Sequence, residues 1–208
     1  MSEVREGFVP NPVLAGLMGI CPLIAASRSL AEGAIYGLGT AICAIALGAI
    51  APPLRATVAD RLQAPATLAI SAAVSTLFAF CVRAYSPAIA AGLWIYLPLL
   101  SVSGLSLYAL RRTSLPGRYG PDASLRFATL SLESILFFLT AAFVGGLREF
   151  IGLGSLTLPT PGPSPLRIDA IAFPPMRLLV SPAGGFMLLG LLVAVYRALA
   201  RSGRRLWR

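Results

Sequence analysis

The chain of 208 residues contains no histidine and no lysine, and these two absences remove most familiar catalytic chemistry. Without His there is no His-ligated haem, no His-bound zinc and no imidazole general base. Without Lys there is no P-loop lysine, Schiff base or pyridoxal site. Charge is scarce as well: 12% of residues are charged, against roughly a quarter in ordinary globular chains. Three Cys, at positions 21, 43 and 81, show no metal-ligand spacing among themselves. What is present is apolar. At 57% hydrophobic residues and a mean hydropathy of +0.81, the chain reads as a polytopic membrane protein rather than a soluble domain. Met1 to Gly7 is acidic as well as basic and no small-residue cleavage pattern follows, so no signal peptide is expected.

All seventeen basic residues are Arg, and the net charge of +9 resembles a nucleic-acid signal until the residues are placed on the chain. They lie mostly between apolar stretches and at the C-terminus, where membrane topology explains them, so membrane lipid and not nucleic acid is the expected surrounding. Six spans are predicted, each close to the ~20 residues needed to cross a bilayer. They run approximately Asn11–Ala26, Ala31–Ile50, Ala66–Val82, Ala88–Leu107, Leu125–Leu147 and Pro182–Leu199. Pro52-Pro53, Ser86-Pro87, Leu115-Pro116-Gly117 and the run from Pro159 to Pro165 punctuate them. The Pro-rich segment Leu156–Arg177 is expected to be an ordered, non-helical surface loop. Twelve Arg fall on the side of the termini and five (Arg28, Arg83, Arg148, Arg167 and Arg177) on the other, which predicts cytoplasmic termini.

Cys21 is the most informative residue. A helix opening at Asn11, with Pro12 at its first position, would carry Cys21 about 15 Å inward, near the middle of a ~30 Å hydrocarbon core. Pro22, directly after it, cannot donate a backbone hydrogen bond, so the helix is expected to break beside the sulfur. A broken helix at a midplane thiol suggests a site; a small apolar residue beside a tolerated kink is the plainer reading. The stretch Ile20-Cys21-Pro22-Leu23-Ile24 also resembles Tyr96-Leu97-Pro98-Leu99-Leu100 in the fourth span. With three spans per half, the halves would run in opposite senses, about 8–84 and about 87–200 within one membrane domain of 1–208. Paired Pro-interrupted spans in inverted halves point to a midplane site between repeats. The predicted fold is therefore an all-α integral membrane protein of six helices in two inverted three-helix repeats, broken at Pro22 and Pro98.

The run Asn11-Pro12-Val13-Leu14 with Leu17-Met18-Gly19-Ile20-Cys21-Pro22-Leu23-Ile24-Ala25 resembles the opening of the E-type membrane chain of the Rnf electron transport complex. That chain is in turn similar to the D-type chain of the sodium-pumping NADH:quinone reductase. Leu147-Arg148-Glu149-Phe150-Ile151-Gly152-Leu153-Gly154 resembles the segment after the family's fifth helix, and Ser181-Pro182-Ala183-Gly184-Gly185-Phe186 the start of its last. The resemblance implies a subunit of an ion-translocating redox complex in the bacterial inner membrane, supporting one-electron transfer coupled to Na⁺ or H⁺ movement. It implies an A-like membrane partner and flavin- and Fe–S-bearing B, C, D and G subunits. It also implies a [2Fe–2S] cluster shared between the A-like and E-like chains, two Cys from each, with Cys21 as an iron ligand. The second ligand should stand at Gly104, which has no side chain to offer, and such clusters need four protein ligands. Cys81, or an oxygen from Ser101 or Ser103, could substitute, or the cluster is lost; Cys43 reads as packing.

Glu133, about eight residues into the fifth span, is either part of a cation path or a protonated or Arg-paired carboxyl near the cytoplasmic end. The family commonly has an acid one turn earlier, where Thr129 stands. Arg148 and Glu149 are expected at the outer boundary, fixing a helix end or a subunit contact. A structural subunit without a cluster and a small inverted-repeat secondary transporter are the alternative functions, the second weakened by how few polar groups reach the midplane: Ser101, Ser103, Thr140 and Glu133.

Overall fold

The computed structural model of the chain describes residues 19–107, 123–160, 165–169 and 177–205. The predicted helix start at Asn11-Pro12 lies outside them, as do Arg111, Arg112 and Arg118. The described residues are mostly helical. A short helix, α1 (Ile20–Ala26), leads through Ser27–Ser29 into α2 (Leu30–Thr57), which is followed by α3 (Asp60–Tyr85). The next apolar segment is broken into α4 (Pro87–Gly92), a turn over 93–95, α5 (Tyr96–Leu99), a 3₁₀ turn at Leu100–Val102 and a helical stretch over 104–107. A long helix α6 (Ala123–Leu153), an antiparallel hairpin and α7 (Pro182–Arg205) complete the order.

The breaks have local causes. Gly19, at φ 72°, adopts a left-handed conformation that glycine takes without steric cost, and α1 starts directly after it. Pro22 is the third residue of α1 and Pro98 the third of α5, positions in a first turn where no intrahelical N–H bond is needed. The interruptions expected at these prolines therefore fall at the ends of the short helices. Ser29 caps α2 by accepting the Glu32 N–H at 3.2 Å, the Ser-x-x-Glu pattern of a helix start. Pro52-Pro53, expected as a break, is instead accommodated in the last two turns of α2, which ends at Thr57. Pro65 is held inside the early part of α3.

Strands were not expected from an all-α reading. Ser155–Leu158 (β1) pairs with Leu166–Asp169 (β2), with Leu156 opposite Ile168 and Leu158 opposite Leu166. Both four-residue runs alternate apolar with polar, the period of a strand, and Pro-rich chain connects them.

Among the described residues, three helical stretches are long and apolar enough to cross a membrane: Leu30–Ile50, Arg61–Tyr85 and Phe127–Leu153. Shorter apolar helices occupy Tyr96–Leu107 and Pro182–Ala198. The core of the bundle is the antiparallel contact of α2 with α6. A Cβ placed at Gly33 would stand 2.6 Å from the Ala141 carbonyl oxygen, and one at Gly145 would stand 2.4 Å from that of Ser29. Those distances are below any real Cβ contact, so the two backbones touch only because these positions are glycine. Gly33, Gly37 and Ala41 recur every four residues and make one small-residue stripe on α2, the device by which membrane helices approach closely. The opposite side of α2 meets α3 and the broken segment, where Gly39 lies against Phe78 and Leu100. Large apolar side chains such as Leu77, Phe80, Leu139, Phe143, Met187 and Leu191 face outward, as lipid-exposed helices require.

Gly145→Leu is expected to lower the thermal midpoint of the detergent-purified protein by overpacking this contact, at a cost of about 1–3 kcal/mol or more. Gly190→Leu, where nothing lies within 4 Å, serves as the neutral control. Equal midpoints for the two variants would show that the α2–α6 approach is not what orders the bundle.

Candidate functional site

The C-terminal end of α6 carries two adjacent charged residues that are almost fully buried, Arg148 at 0% and Glu149 at 1% exposure. A guanidinium has five N–H groups in a fixed fork. Here each has a backbone carbonyl to meet. Nε donates to Leu179 O at 3.1 Å; Nη1 donates to Ile24 O at 2.5 Å and Ser27 O at 2.7 Å; Nη2 donates to Val180 O at 2.9 Å and Ser181 O at 3.1 Å. The Ser27 hydroxyl lies a further 3.4 Å from Nη1. One side chain thus joins the C-terminal end of α1 to the turn that precedes α7.

Glu149 works on the next stretch of chain. Its Oε2 accepts the Leu30 N–H at 2.9 Å, the first helical amide of α2, while Oε1 accepts from the Ser155 hydroxyl at 3.5 Å and from the Thr157 hydroxyl. A carboxylate at a helix N-terminus is favoured by the orphan amides there and by the macrodipole. The polar side of β1 is consequently turned toward Glu149. The sequence-based expectation that this pair fixes a helix end matches this geometry; that it fixes two, on either side of one turn, could not be read from the chain.

The Gly184-Gly185 pair at the start of α7 makes room for the arrangement. A Cβ at Gly185 would come within 2.7 Å of Ile24 Cγ2 and 3.0 Å of Arg148 Cζ, and one at Gly184 within 2.2 Å of the Leu178 carbonyl oxygen. The motif that marks the start of the last helix therefore lets the guanidinium lie against its backbone.

Cys21 is the second residue of α1, on backbone that leads within one turn to the Ile24 carbonyl held by Arg148. Gly104 opens the helical stretch after the 3₁₀ turn. The hydroxyls beside it are committed locally: Ser101 donates to Pro98 O at 2.8 Å, Ser103 and Ser106 share a hydrogen bond of 2.8 Å, and Ser106 donates to Leu100 O at 3.1 Å. Cys43 is fully buried in the apolar core of α2, and Cys81 is exposed on α3 one turn before its end. No group of three or more His, Cys, Asp or Glu able to hold a metal occurs among the described residues. The fourth segment therefore offers no thiolate to set beside Cys21: Gly104 has no side chain, and the neighbouring hydroxyls are hydrogen-bonded within the segment.

Glu133, in the first half of α6, is 6% exposed. It stands between Leu130, which packs at Gly48, and Phe137, whose ring lies 3.0 Å from where a Cβ on Gly19 would be. The carboxyl is thus inside a candidate span, one turn from the residue that contacts the start of α1. Sequence reasoning missed Tyr36 and Ser86, both fully buried, whose hydroxyls have no hydrogen-bond partner among the described residues. A tyrosine inside an apolar run was the only signal for the first.

Comparison with known proteins bears on the family of the chain. The profile of the family described as Rnf-Nqr subunit, membrane protein, matches residues 3–193. The chain is 26% identical over 196 residues to the E component of the Na(+)-translocating ferredoxin:NAD(+) oxidoreductase complex of Acetobacterium woodii, covering 94% of each chain. It is 29% identical over 198 residues to the E component of the ion-translocating oxidoreductase complex of Pseudomonas paraeruginosa, covering 92% of this chain and 81% of that one. The E component of the ion-translocating oxidoreductase complex of Rhodobacter capsulatus is 26% identical over 93% of this chain and 81% of its own.

Replacing Glu149 by Ala leaves the Leu30 amide without its side-chain acceptor, at an expected cost of about 1–3 kcal/mol. Glu149→Gln, which keeps one acceptor oxygen, is expected to lose less. A thermal-melt series in which the Ala and Gln variants match wild type would remove Glu149 from the account of the α2 start.

Proposed function

The chain belongs to the Rnf-Nqr family of membrane subunits, and from that membership we propose that it is the E-type membrane component of an ion-translocating oxidoreductase complex. The observation that carries this reading is a family match over residues 3–193, together with E-type relatives aligned over most of both chains. It sits in the bacterial inner membrane with both termini in the cytoplasm, in keeping with the Arg asymmetry. Six spans in two inverted halves are the arrangement we favour, because Pro22 and Pro98 occupy the same third position of a short, interrupted helix in each half. Its partners are an A-like membrane chain and the flavin- and Fe–S-bearing B, C, D and G subunits, and the complex couples one-electron transfer to movement of Na⁺ or H⁺.

Within that complex the chain's part is to support electron transfer with a single thiol, Cys21, on a short interrupted helix. A resident cluster would supply one-electron chemistry; this chain's residues offer it one thiolate and no second from the fourth segment. A chain that only scaffolds the complex is the competing reading, and the committed hydroxyls of Ser103 and Ser106 beside Gly104 favour it. Glu133 is the residue we place on the cation path, because a buried carboxylate inside a span is costly and is retained chiefly for function.

Purification through a tag on this chain is expected to bring down the other membrane subunits and the flavin- and Fe–S-bearing ones. A chain that purifies alone and supports solute uptake in vesicles would replace this reading with the secondary transporter. Cys21→Ser, in a complex that still assembles, is expected to reduce electron transfer to background; an unchanged rate would leave the scaffold as the function.

A further inference from the structure

We infer that Arg148 is the positioning residue of the interrupted helix α1, and through it of Cys21. The inference rests on the reading of Cys21 as the functional thiol, but its physical basis is independent of it. Seven residues are too few to form a stable helix alone, and α1 starts from a glycine that provides no side-chain cap. Its last carbonyls have no intrahelical partner, and burial of Ile24, Ala26 and Ser27 keeps water from serving them. The Ser27 amide serves Leu23 O at 2.9 Å. Arg148 serves the Ile24 and Ser27 carbonyls, with its three remaining N–H groups on Leu179, Val180 and Ser181.

A cation placed at a helix C-terminus is favoured by the partial negative charge there, so charge and geometry act in one direction. The side-chain packing of α1 alone would not fix its depth. Leu23, Ile24 and Ala26 are buried, yet apolar contacts are non-directional and let a short helix slide or tilt. Two carbonyls held by one rigid fork, itself held by three more, remove that freedom. The fork is in turn pinned from the far side by the Gly185 backbone, within 3.0 Å of Cζ for an added Cβ. The position of Cys21, at the other end of a two-turn helix, follows from that of Ile24 and Ser27.

The test is alkylation of Cys21 by N-ethylmaleimide in the assembled complex, followed by mass spectrometry, with Cys43 and Cys81 as internal references. Cys43, fully buried, reports general unfolding; Cys81, exposed on α3, reports reagent access. Arg148→Met is expected to speed Cys21 labelling about tenfold, a change of about 1.4 kcal/mol in local opening, with Cys43 still protected and Cys81 unchanged. Arg148→Lys, which keeps the charge but offers three donors for five carbonyls, is expected to fall between Met and wild type. Unchanged Cys21 labelling in Arg148→Met overturns the inference.

Should Arg148→Met unfold the chain, seen as labelling of Cys43, Arg148→Lys decides. It keeps a cation at the site but offers three donors for the five carbonyls. Faster Cys21 labelling alone supports the positioning role, and an unchanged rate overturns it. Labelling does not depend on electron transfer, so a loss of redox rate without a change in labelling bears on the role of Cys21 and not on the clamp.

Discussion

Backbone polar groups buried away from water must be satisfied by the protein's own atoms, and this protein interrupts its helices at buried positions such as Ser27. Each interruption leaves orphan carbonyls and amides. Around the α1–α2 turn the solution is two side chains on consecutive residues of α6. Arg148 donates five hydrogen bonds to carbonyls on both sides of the core, and Glu149 accepts the first amide of α2. Burying a guanidinium is expensive unless all its donors are matched, and here they are. The glycines around it, Gly145 against Ser29 and Gly185 against Arg148 itself, read as clearance for that side chain and its turn.

The rest of the fold is arranged about this junction. The antiparallel contact of α2 and α6 needs no hydrophobic driving force and could not use one in lipid; it is held by backbone proximity along Gly33, Gly37, Ala141 and Gly145. That approach is close enough to bring the end of α6 to the start of α2, and so to put Arg148 and Glu149 within reach of the α1–α2 turn. The hairpin after α6 then follows from Glu149, which takes hydroxyl donors from the polar face of β1.

Composition and spacing were enough to read a helical membrane protein and the interruptions near Cys21 and Pro98, while the family was read from the resemblance of three motifs. Sequence could not place the breaks at the right residues, because a proline in the first turn of a helix is tolerated and the decisive events lie elsewhere: a left-handed Gly19 and a turn at Ser27. Pro52-Pro53 misled for a related reason, since the closing turns of a long helix absorbed both. The hairpin was hidden by its own brevity, four residues to a strand among abundant prolines. As for the site, Arg148 and Glu149 announced a helix end by being charged in an apolar setting. Their carbonyl and amide partners, Ile24, Ser27 and Leu30, lie about 120 residues away in sequence and carry no side-chain signature of the bond. At Gly104 the sequence is plain on one point: glycine has no side-chain thiolate to offer iron in any fold.

The most direct test of the account is a side-chain-resolution map of the assembled complex in lipid nanodiscs, read at Arg148. The account predicts the guanidinium seated among the carbonyls of Ile24, Ser27, Leu179, Val180 and Ser181, with α1 in contact with α6 and α7. A guanidinium turned outward onto a carboxylate of a neighbouring chain, with α1 held by something else, would contradict it.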